Sequence, residues 1–288
     1  MFDLQKEIGV KSWSFKHLPD NRECADAILS CKSNVVDLSG SHLDYAKPET
    51  WADVIAAYRE KNISIPGVIA GMKPDEAWNR RAFEFAKQAG AGLVSITFAP
   101  EEWEVTVRIL ERLSEEYNIP TAIHNHGGYD WLGSATMLNY IFNRTSKRIG
   151  LCLDTAWCMH VERENPVMWM ERFGKRMYGC HFKDFYWDRN GKHYDAVVGE
   201  GAMDLPGVLK AFKDLENVIS AVLEYEVTTL WNALPNPLPT SANCTDPSII
   251  KKPILCIALD WLFFVLAHRV QRLPVRGIYR KVSGRVKS

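Results

Sequence analysis

The chain contains Tyr178-Gly179-Cys180-His181-Phe182-Lys183-Asp184, an apolar run that ends in residue types able to bind a metal. Three other runs end in the same way: Ala122-Ile123-His124-Asn125-His126, Leu151-Cys152-Leu153-Asp154 and Ala221-Val222-Leu223-Glu224-Tyr225-Glu226. Burying a His, Asp or Glu at the end of a strand is costly unless the group is paired or bound to a metal. We therefore expect the four strand ends to converge, as they do at the carboxyl-terminal rim of a parallel barrel.

Short apolar runs predict buried parallel strands that alternate with helices. The predicted strands are residues 8–13, 34–38, 63–69, 93–98, 120–125, 149–154, 177–183 and 218–224. Their starts recur roughly every 30 residues, which is the size of a repeated strand–helix unit. An open dinucleotide-binding sheet would carry a glycine-rich phosphate fingerprint after its first strand, and this chain has none. The sequence therefore predicts an α/β fold of the closed (β/α)8 TIM-barrel type.

Amphipathic patterns predict helices in the gaps between these strands. They cover residues 48–61, 73–89, 100–117 and 205–215, and the last begins after Asp204, a candidate N-cap. In the first of them, Trp51, Val54, Ile55 and Tyr58 recur at helical spacing and form an apolar stripe. We expect these stripes to pack against the strands.

The composition is that of one large globular domain of 288 residues, with 47% hydrophobic and 24% charged residues. A formal net charge of zero gives no overall attraction to nucleic acid. The amino-terminal residues are charged and lack the apolar segment of a secretory signal. The seven cysteines form no CxxC pair. We therefore expect reduced thiols and a cytoplasmic protein.

The last sixty residues depart from the barrel pattern. We expect a barrel over residues 1–240 and an atypical extension over 241–288, in which residues 254–267 are nearly all apolar and 269–287 strongly basic. The apolar segment is shorter than the roughly 20 residues that cross a bilayer, so no transmembrane segment is expected. Three interpretations stay open: a final helix packed on the barrel or on a partner, an interfacial membrane helix, and an altered reading frame. The segment 261–266 would supply a surface for a homo-oligomer.

His124, Asp154, His181 and Glu224 are the predicted metal ligands. Each stands at a strand end, and one comes from each of the last four predicted strands. Two imidazoles and two carboxylates suit a divalent ion such as Mn, Co, Zn, Mg or Fe(II). Any one of these residues alone would be weak support for a site, but four in succession favour it.

The chain resembles the xylose-isomerase-like TIM-barrel superfamily, the sugar phosphate isomerase/epimerase group that also includes inosose dehydratases, ketose 3-epimerases and endonuclease IV. The resemblance covers about residues 7–226. Its most specific motifs are Ile123-His124-Asn125-His126-Gly127, Leu153-Asp154-Thr155-Ala156-Trp157, Gly179-Cys180-His181-Phe182-Lys183-Asp184, Val198-Gly199-Glu200-Gly201 and Leu223-Glu224-Tyr225-Glu226. Looser matches are Val10-Lys11-Ser12-Trp13-Ser14-Phe15 and Asp37-Leu38-Ser39-Gly40-Ser41-His42-Leu43.

The resemblance implies a divalent-metal-dependent isomerase, epimerase or dehydratase that acts on a sugar, sugar phosphate or polyol. By it, Asp154, His181 and Glu224 match family metal ligands. Ketose epimerases have a Glu at the strand-5 position, where two metal-bound glutamates exchange protons with the substrate. This chain has His124 there, as do members with a His-x-His strand end, inosose dehydratases among them. The departure favours isomerisation or dehydration over two-glutamate epimerisation.

The expected chemistry is polarisation of a substrate carbonyl by the metal, which acidifies the adjacent carbon and stabilises an enediolate. A general base must reach the proton on that carbon, and the candidates are His126, Glu226 and Lys183. Lys183 shares the inward face of His181, and we expect its pKa to fall near a metal cation. The alternative for Lys183 is an ion pair with Asp184 or Glu200.

Further residues are expected to contact the substrate or to orient the histidine ligands. Aromatic rings at strand ends suit the apolar faces of a sugar, and carboxylates near a ligand histidine commonly fix its orientation. The predicted substrate-binding residues are Trp13, His42, Asn125, Trp157, Asp184 and Glu200, and the last two are the carboxylates expected to orient histidines.

Two other functions compete with this one. A non-catalytic barrel that serves as a binding module is one alternative, and it would be recognised by a failure to take up metal. An endonuclease-IV-like phosphodiesterase is the other. Those repair enzymes carry a histidine shortly after the strand-6 Asp, where this chain has Trp157, and the neutral charge also weakens a DNA role. We expect a small sugar or polyol as partner and no nucleic acid.

Overall fold

A computed structural model describes residues 2–127 and 130–226 of the chain. Its strands are β1 (Gly9–Lys11), β2 (Val35–Leu38), β3 (Ser64–Met72), β4 (Leu93–Phe98), β5 (Thr121–His124), β6 (Ile149–Asp154), β7 (Met177–Phe182), β8 (Asp184–Trp187), β9 (His193–Ala196) and β10 (Ser220–Leu223). Parallel pairing closes a barrel in the order β1-β10-β7-β6-β5-β4-β3-β2. The predicted TIM barrel is therefore confirmed, and the predicted strands 93–98 and 149–154 agree with β4 and β6 at both ends.

Helices connect the strands and cover the outside of the barrel. They are α1 (Leu4–Glu7), α2 (Asn21–Ser30), α3 (Trp51–Arg59), α4 (Glu76–Ala89), α5 (Trp103–Tyr117), α6 (Ala135–Phe142), α7 (Thr155–Val161), α8 (Pro166–Phe173) and α9 (Leu205–Lys213). The predicted stripe of α3 is confirmed, since Trp51, Val54, Ile55 and Tyr58 are all buried.

Helix α4 illustrates how local sequence sets the ends of these helices. Its amino terminus is capped by Asp75, whose side chain accepts a hydrogen bond from the Trp78 backbone N–H. The helix therefore begins at Glu76, three residues later than predicted. It ends where expected, at Gly90, which adopts a left-handed φ of 78° that a glycine tolerates without strain.

An antiparallel hairpin of β8 and β9 was not predicted. It follows β7 after a single residue and pairs Asp184 with Ala196 and Trp187 with His193. Because β7 ends at the carboxyl-terminal rim, the hairpin starts at that rim. Its strands mix aromatic and charged residues, so they lack the apolar run that marks the barrel strands.

The predicted boundary at residue 240 and the expectations for the extension lie outside the described residues. Among the helices that the structure describes, none combines the length and apolar character that a membrane span requires.

Candidate active site

Four neighbouring barrel strands bring the predicted metal ligands together. His124 and Asp154 are the last residues of β5 and β6, His181 is the penultimate residue of β7, and Glu224 follows β10. Each offers one ligand atom, and these atoms all lie within 4.8 Å of one another. All four residues are buried. The adjacency of β5, β6, β7 and β10 in the barrel accounts for this convergence.

The donor atoms are close enough to share one ion. His181 Nδ1 lies 2.8 Å from Glu224 Oε2 and 3.1 Å from His124 Nε2. His124 Nε2 lies 3.8 Å from Asp154 Oδ2. Within the described residues, Asp154 Oδ2 and Glu224 Oε2 are buried without a hydrogen bond of acceptable geometry. Buried polar atoms are rarely left in this state, and a cation would satisfy both oxygens. The donor set therefore fits a divalent metal ion.

Asp154 uses its two carboxylate oxygens differently. Oδ1 accepts hydrogen bonds from the backbone N–H groups of Ala156 and Trp157, at 3.0 and 2.9 Å, and so caps helix α7. Its backbone is held by Asn125, whose amide donates to Asp154 O at 3.1 Å and accepts from Asp154 N at 2.7 Å. These contacts direct Oδ2 toward the other donors. Asn125 is fully buried, so its placement favours a positioning role over the predicted contact with substrate.

The protonation states of His181 and Glu224 suit cation binding. Burial lowers the pKa of the His181 imidazole, which keeps that ring neutral near pH 7. Burial alone would raise the pKa of Glu224, but Lys183 and His181 together hold it well below its ordinary value. A neutral imidazole and an ionised carboxylate are the forms that bind metal.

Lys183 lies directly after β7 and is almost fully buried. Its ammonium group pairs with Glu226 Oε1 and lies 3.6 Å from Glu224 Oε1. The predicted ion pair with Asp184 or Glu200 is therefore replaced by one with Glu226. Burial lowers the pKa of Lys183, but the carboxylates of Glu224, Asp154 and Glu226 outweigh it, so the pKa is raised. The carboxylates beside the proposed metal site thus also surround Lys183, and the fall expected for its pKa next to a bound cation stays a prediction.

Glu226 follows β10 and contacts residues that come after β1 and after β7. Its Oε2 accepts a hydrogen bond from Trp13 Nε1 at 2.9 Å and lies 3.6 Å from Lys16 Nζ. Its backbone N–H donates to Asp195 of the hairpin. With Lys183 on its other oxygen, the Glu226 carboxylate is already committed to three partners. This arrangement favours a role in holding Lys183 over the predicted role as general base.

Asp195 is a residue that sequence reasoning missed. It lies in β9, and burial raises its pKa to about 6, while the nearby Lys183 ammonium acts in the opposite direction. The tetrapeptide His193-Tyr194-Asp195-Ala196 carries no apolar run, so only the hairpin pairing brings Asp195 to the rim. No local pattern in the sequence marked it.

An aromatic wall surrounds Trp157. Its ring centroid lies 4.4 Å from that of His126, 4.9 Å from Phe185 and 5.3 Å from His193. The Lys183 ammonium lies 5.3 Å from the Trp157 ring. The half-buried His126 ring is thus close to both Trp157 and His124, and its centroid lies 6.2 Å from that of the His124 ring. The predicted residues His126 and Trp157 are therefore beside the donor cluster, with two hairpin rings that the sequence did not reveal.

The remaining predicted residues occupy different positions. His42 is buried, and its ring nitrogens contact Ser41 Oγ and the Leu18 carbonyl, both at 2.8 Å. Asp184 is fully buried and binds backbone N–H groups in the loop after the hairpin rather than a ligand histidine. Glu200 is exposed in that loop. These placements favour structural roles for His42 and Asp184. Trp13 is 36% exposed, which leaves part of its ring accessible at the rim.

Comparison with known proteins places this geometry in a family. A family model described as xylose isomerase-like TIM barrel matches residues 37–245. No curated protein sequence matches the chain. A xylose isomerase-like TIM barrel protein from Mycobacterium smegmatis, solved in complex with magnesium, is 10% identical with a TM-score of 0.68, covering 92% of this chain and 98% of that one.

A dehydratase and an epimerase of known structure share this fold. Mannonate dehydratase from Streptococcus suis serotype2 is 10% identical with a TM-score of 0.64, over 91% of this chain and 95% of that one. D-Psicose 3-epimerase from Clostridium cellulolyticum H10, solved with D-tagatose, is 14% identical with a TM-score of 0.62, over 86% and 94% of the two chains. At these identities the likeness concerns the fold. With the family model matching most of its length, the chain belongs to the xylose isomerase-like TIM barrel family.

Proposed function

We propose that the chain is a divalent-metal-dependent enzyme that isomerises or dehydrates a sugar or polyol. The observation that carries the proposal is the buried cluster of His124, Asp154, His181 and Glu224, whose ligand atoms lie within 4.8 Å of one another. Solved structures of the same fold, which include a dehydratase, an epimerase and a protein in complex with magnesium, support it.

His124, Asp154, His181 and Glu224 would hold the ion. When bound, a divalent cation supplies Lewis-acid polarisation of a carbonyl and an adjacent hydroxyl group. The mixed nitrogen and oxygen donors suit Mg, Mn, Co, Zn or Fe(II). Asn125 and the amino terminus of α7 keep the Asp154 carboxylate aimed at this point.

His126 is the proposed general base. A histidine needs little adjustment for this work, because its ordinary pKa is already close to neutrality. Its ring is half-buried beside the donor cluster and is packed against Trp157. In the proposed reaction, His126 takes the proton from the carbon next to the carbonyl, and the electron pair moves onto the carbonyl oxygen to give the enediolate of the substrate.

Lys183 is the proposed proton donor and clamp for substrate oxygens. Its raised pKa keeps it protonated at neutral pH, and its pairing with Glu226 fixes its position. Return of the proton to the former carbonyl carbon, with transfer of the hydroxyl proton from the neighbouring oxygen to the former carbonyl oxygen, completes an isomerisation. Expulsion of a hydroxyl group as water, with a proton from Lys183, completes a dehydration. A two-glutamate epimerisation is disfavoured because β5 ends in His124.

Exchange of a substrate proton with solvent tests the proposal. The full chain, loaded in turn with Mg²⁺, Mn²⁺ and Co²⁺, is incubated in D₂O with a panel of keto sugars and polyol-derived ketones, and deuterium incorporation is followed by NMR. We expect exchange that depends on metal, that is lost in Glu224→Gln and that is retained in the matched control Glu104→Gln on the exposed face of α5. Metal uptake without exchange on any member of the panel would favour a non-catalytic binding module.

A further inference from the structure

The loop after the hairpin contains a turn that is built to bind an anion. Gly199 adopts a left-handed φ of 92°, and the backbone N–H groups of Gly199, Gly201 and Met203 point toward one place. Converging N–H groups of this kind form a concave site for anions. In many (β/α)8 barrels, the loops after barrel strands 7 and 8 hold a substrate phosphate, and this turn lies in the loop after β7.

The chain fills this turn with its own carboxylate. Asp184 Oδ2 accepts hydrogen bonds from Gly199 N at 3.0 Å and Gly201 N at 3.1 Å, and Oδ1 accepts one from Met203 N at 3.0 Å. Asp184 is fully buried. A Cβ atom at Gly201 would lie only 2.4 Å from Asp184 Oδ1. The turn therefore has no room for a methyl group, and still less for a phosphate.

Three further donor groups in the described part of this rim also contact internal carboxylates. The first N–H groups of α7 bind Asp154 Oδ1. Among the residues that the structure describes near the donor cluster, the ammonium groups of Lys183 and Lys16 both contact Glu226. A phosphate that bound to these donors would have to displace one of these pairs.

The charge of the rim also disfavours a phosphate dianion. The carboxylates of Asp154, Asp195, Glu224 and Glu226 lie near the Lys183 ammonium group, and Glu226 also lies near that of Lys16. A divalent cation on the donor cluster would balance the remaining negative charge. Bringing two further negative charges into such a partly buried site is costly without new cationic partners. The faces of Trp157 and His126 instead suit the apolar face of an uncharged sugar.

We propose that this site binds an uncharged keto sugar or polyol rather than a phosphorylated one, because the chain's own carboxylates occupy the anion-binding turn and the paired cationic groups in the part of the rim that the structure describes. The inference rests on the proposed function and names its substrate class. It assigns Asp184 the task of filling the anion-binding turn.

Matched pairs of substrates test the substrate class. With the metal-loaded full chain, kcat/KM for deuterium exchange is measured for D-fructose against D-fructose 6-phosphate and for D-tagatose against D-tagatose 6-phosphate. We expect the free sugar of an active pair to be preferred by at least about tenfold, or about 1.4 kcal/mol. Faster exchange of the phosphate esters would overturn the inference and leave the proposed function standing. Exchange with no member of either pair would count against the proposed function instead, and the substrate class would then be decided by phosphate binding.

Inorganic phosphate is the probe for the turn itself. Calorimetric titration compares the metal-loaded wild type with Asp184→Ser, which vacates the turn, and with Asp184→Asn, which keeps an acceptor oxygen and most of the volume. We expect Asp184→Ser to bind phosphate at least about tenfold more tightly than the wild type, and Asp184→Asn to resemble the wild type. Equal phosphate affinity in the wild type and Asp184→Ser would contradict the inference.

Circular dichroism shows whether Asp184→Ser is folded. If Asp184→Ser is not folded, phosphate binding to the wild type alone tests the inference. Phosphate binding to the wild type that competes with a free sugar would overturn the inference, and the absence of such competition would support it.

Discussion

At the scale of single residues, Asp154 shows how one carboxylate links fold and chemistry. Its Oδ1 atom caps α7, and its Oδ2 atom is buried at the donor cluster without a hydrogen bond in the described residues. The same backbone turn that starts the helix therefore also aims a proposed metal ligand. The sequence predicted the four ligands because a His, Asp or Glu at the end of an apolar run is unusual enough to be noticed.

Other residues of the site could not be assigned from the sequence. The partners of Lys183 come from residues 41 and 43 positions further along the chain, and Asp195 reaches Glu226 only through the hairpin. His42 was expected at the pocket wall from its place after β2, but the structure uses both ring nitrogens for internal contacts. These assignments depend on tertiary contacts that leave no local pattern.

Replacing Lys183 tests its role as clamp and proton donor. Lys183→Met would leave the Glu224 and Glu226 carboxylates without their cation, and losing one partner of a buried ion pair costs about 3–5 kcal/mol. In urea unfolding, we expect the metal-free variant to lose about 3–5 kcal/mol of unfolding free energy. The metal-loaded variant should lose the exchange of the substrate proton with solvent. The control Lys213→Met, at the exposed end of α9, should change neither. Full activity in Lys183→Met would remove Lys183 from the mechanism.

The buried Asp184 carboxyl predicts a pH dependence of stability. Burial raises its pKa from 3.8 to about 6, although bonds from Met203, Gly199 and Gly201 oppose the shift. The folded state thus favours the protonated form, so the stability from this group is complete below about pH 4 and is lost as the pH rises through about 6. As the pH rises from about 4 to about 8, the unfolding free energy of the wild type should fall by up to about 3 kcal/mol relative to that of the non-titrating Asp184→Asn. A difference that stays constant from pH 4 to 8 would contradict this account.

At the scale of elements, the barrel strands could be predicted and the hairpin could not. Buried parallel strands are continuous apolar runs, and the prediction of residues 93–98 and 149–154 coincides with β4 and β6. The hairpin strands are instead only four residues each, Asp-Phe-Tyr-Trp and His-Tyr-Asp-Ala, and they mix aromatic with charged residues. So short a pattern is indistinguishable from a loop without knowledge of its partner strand.

The loop after β5 depends on a glycine for its packing against α7. A Cβ atom at Gly127 would lie 2.0 Å from Trp157 Cε3, so Gly127→Ala must displace the ring that packs on His126. We expect Gly127→Ala to raise KM and reduce kcat in steady-state kinetics. Metal affinity should be nearly unchanged, because the four proposed metal ligands are other residues. The matched control is Gly71→Ala in β3, where a Cβ atom would meet nothing within 4 Å. Equal effects of the two substitutions would mean that the Trp157 ring does not line the substrate site.

At the scale of the whole molecule, the barrel interior holds a buried ion pair between β1 and β2. Lys11 pairs with Asp37, and both side chains are at most 3% exposed. Asp37 also accepts a hydrogen bond from Ser220 Oγ in β10 at 3.2 Å. Gly67 in β3 makes room for it, since a Cβ atom there would lie 2.2 Å from Asp37 Oδ2. The pair thus sits where β1, β2, β3 and β10 meet.

A double-mutant cycle tests how this pair stabilises the barrel. Lys11→Met or Asp37→Leu alone would leave a buried charge without its partner, at a cost of about 3–5 kcal/mol, whereas the double variant should cost much less than the sum. Urea unfolding of the four proteins measures the coupling. Additive losses would show that the two groups do not interact in the folded protein.

We propose that one divalent cation joins four strands at the carboxyl-terminal rim. Anomalous diffraction from crystals of the full chain soaked in Mn²⁺ tests it most directly. We expect a single strong peak within about 2.0–2.3 Å of donor atoms from His124, Asp154, His181 and Glu224. A Mn²⁺ peak elsewhere in the molecule, with these four side chains turned away from one another, would contradict it.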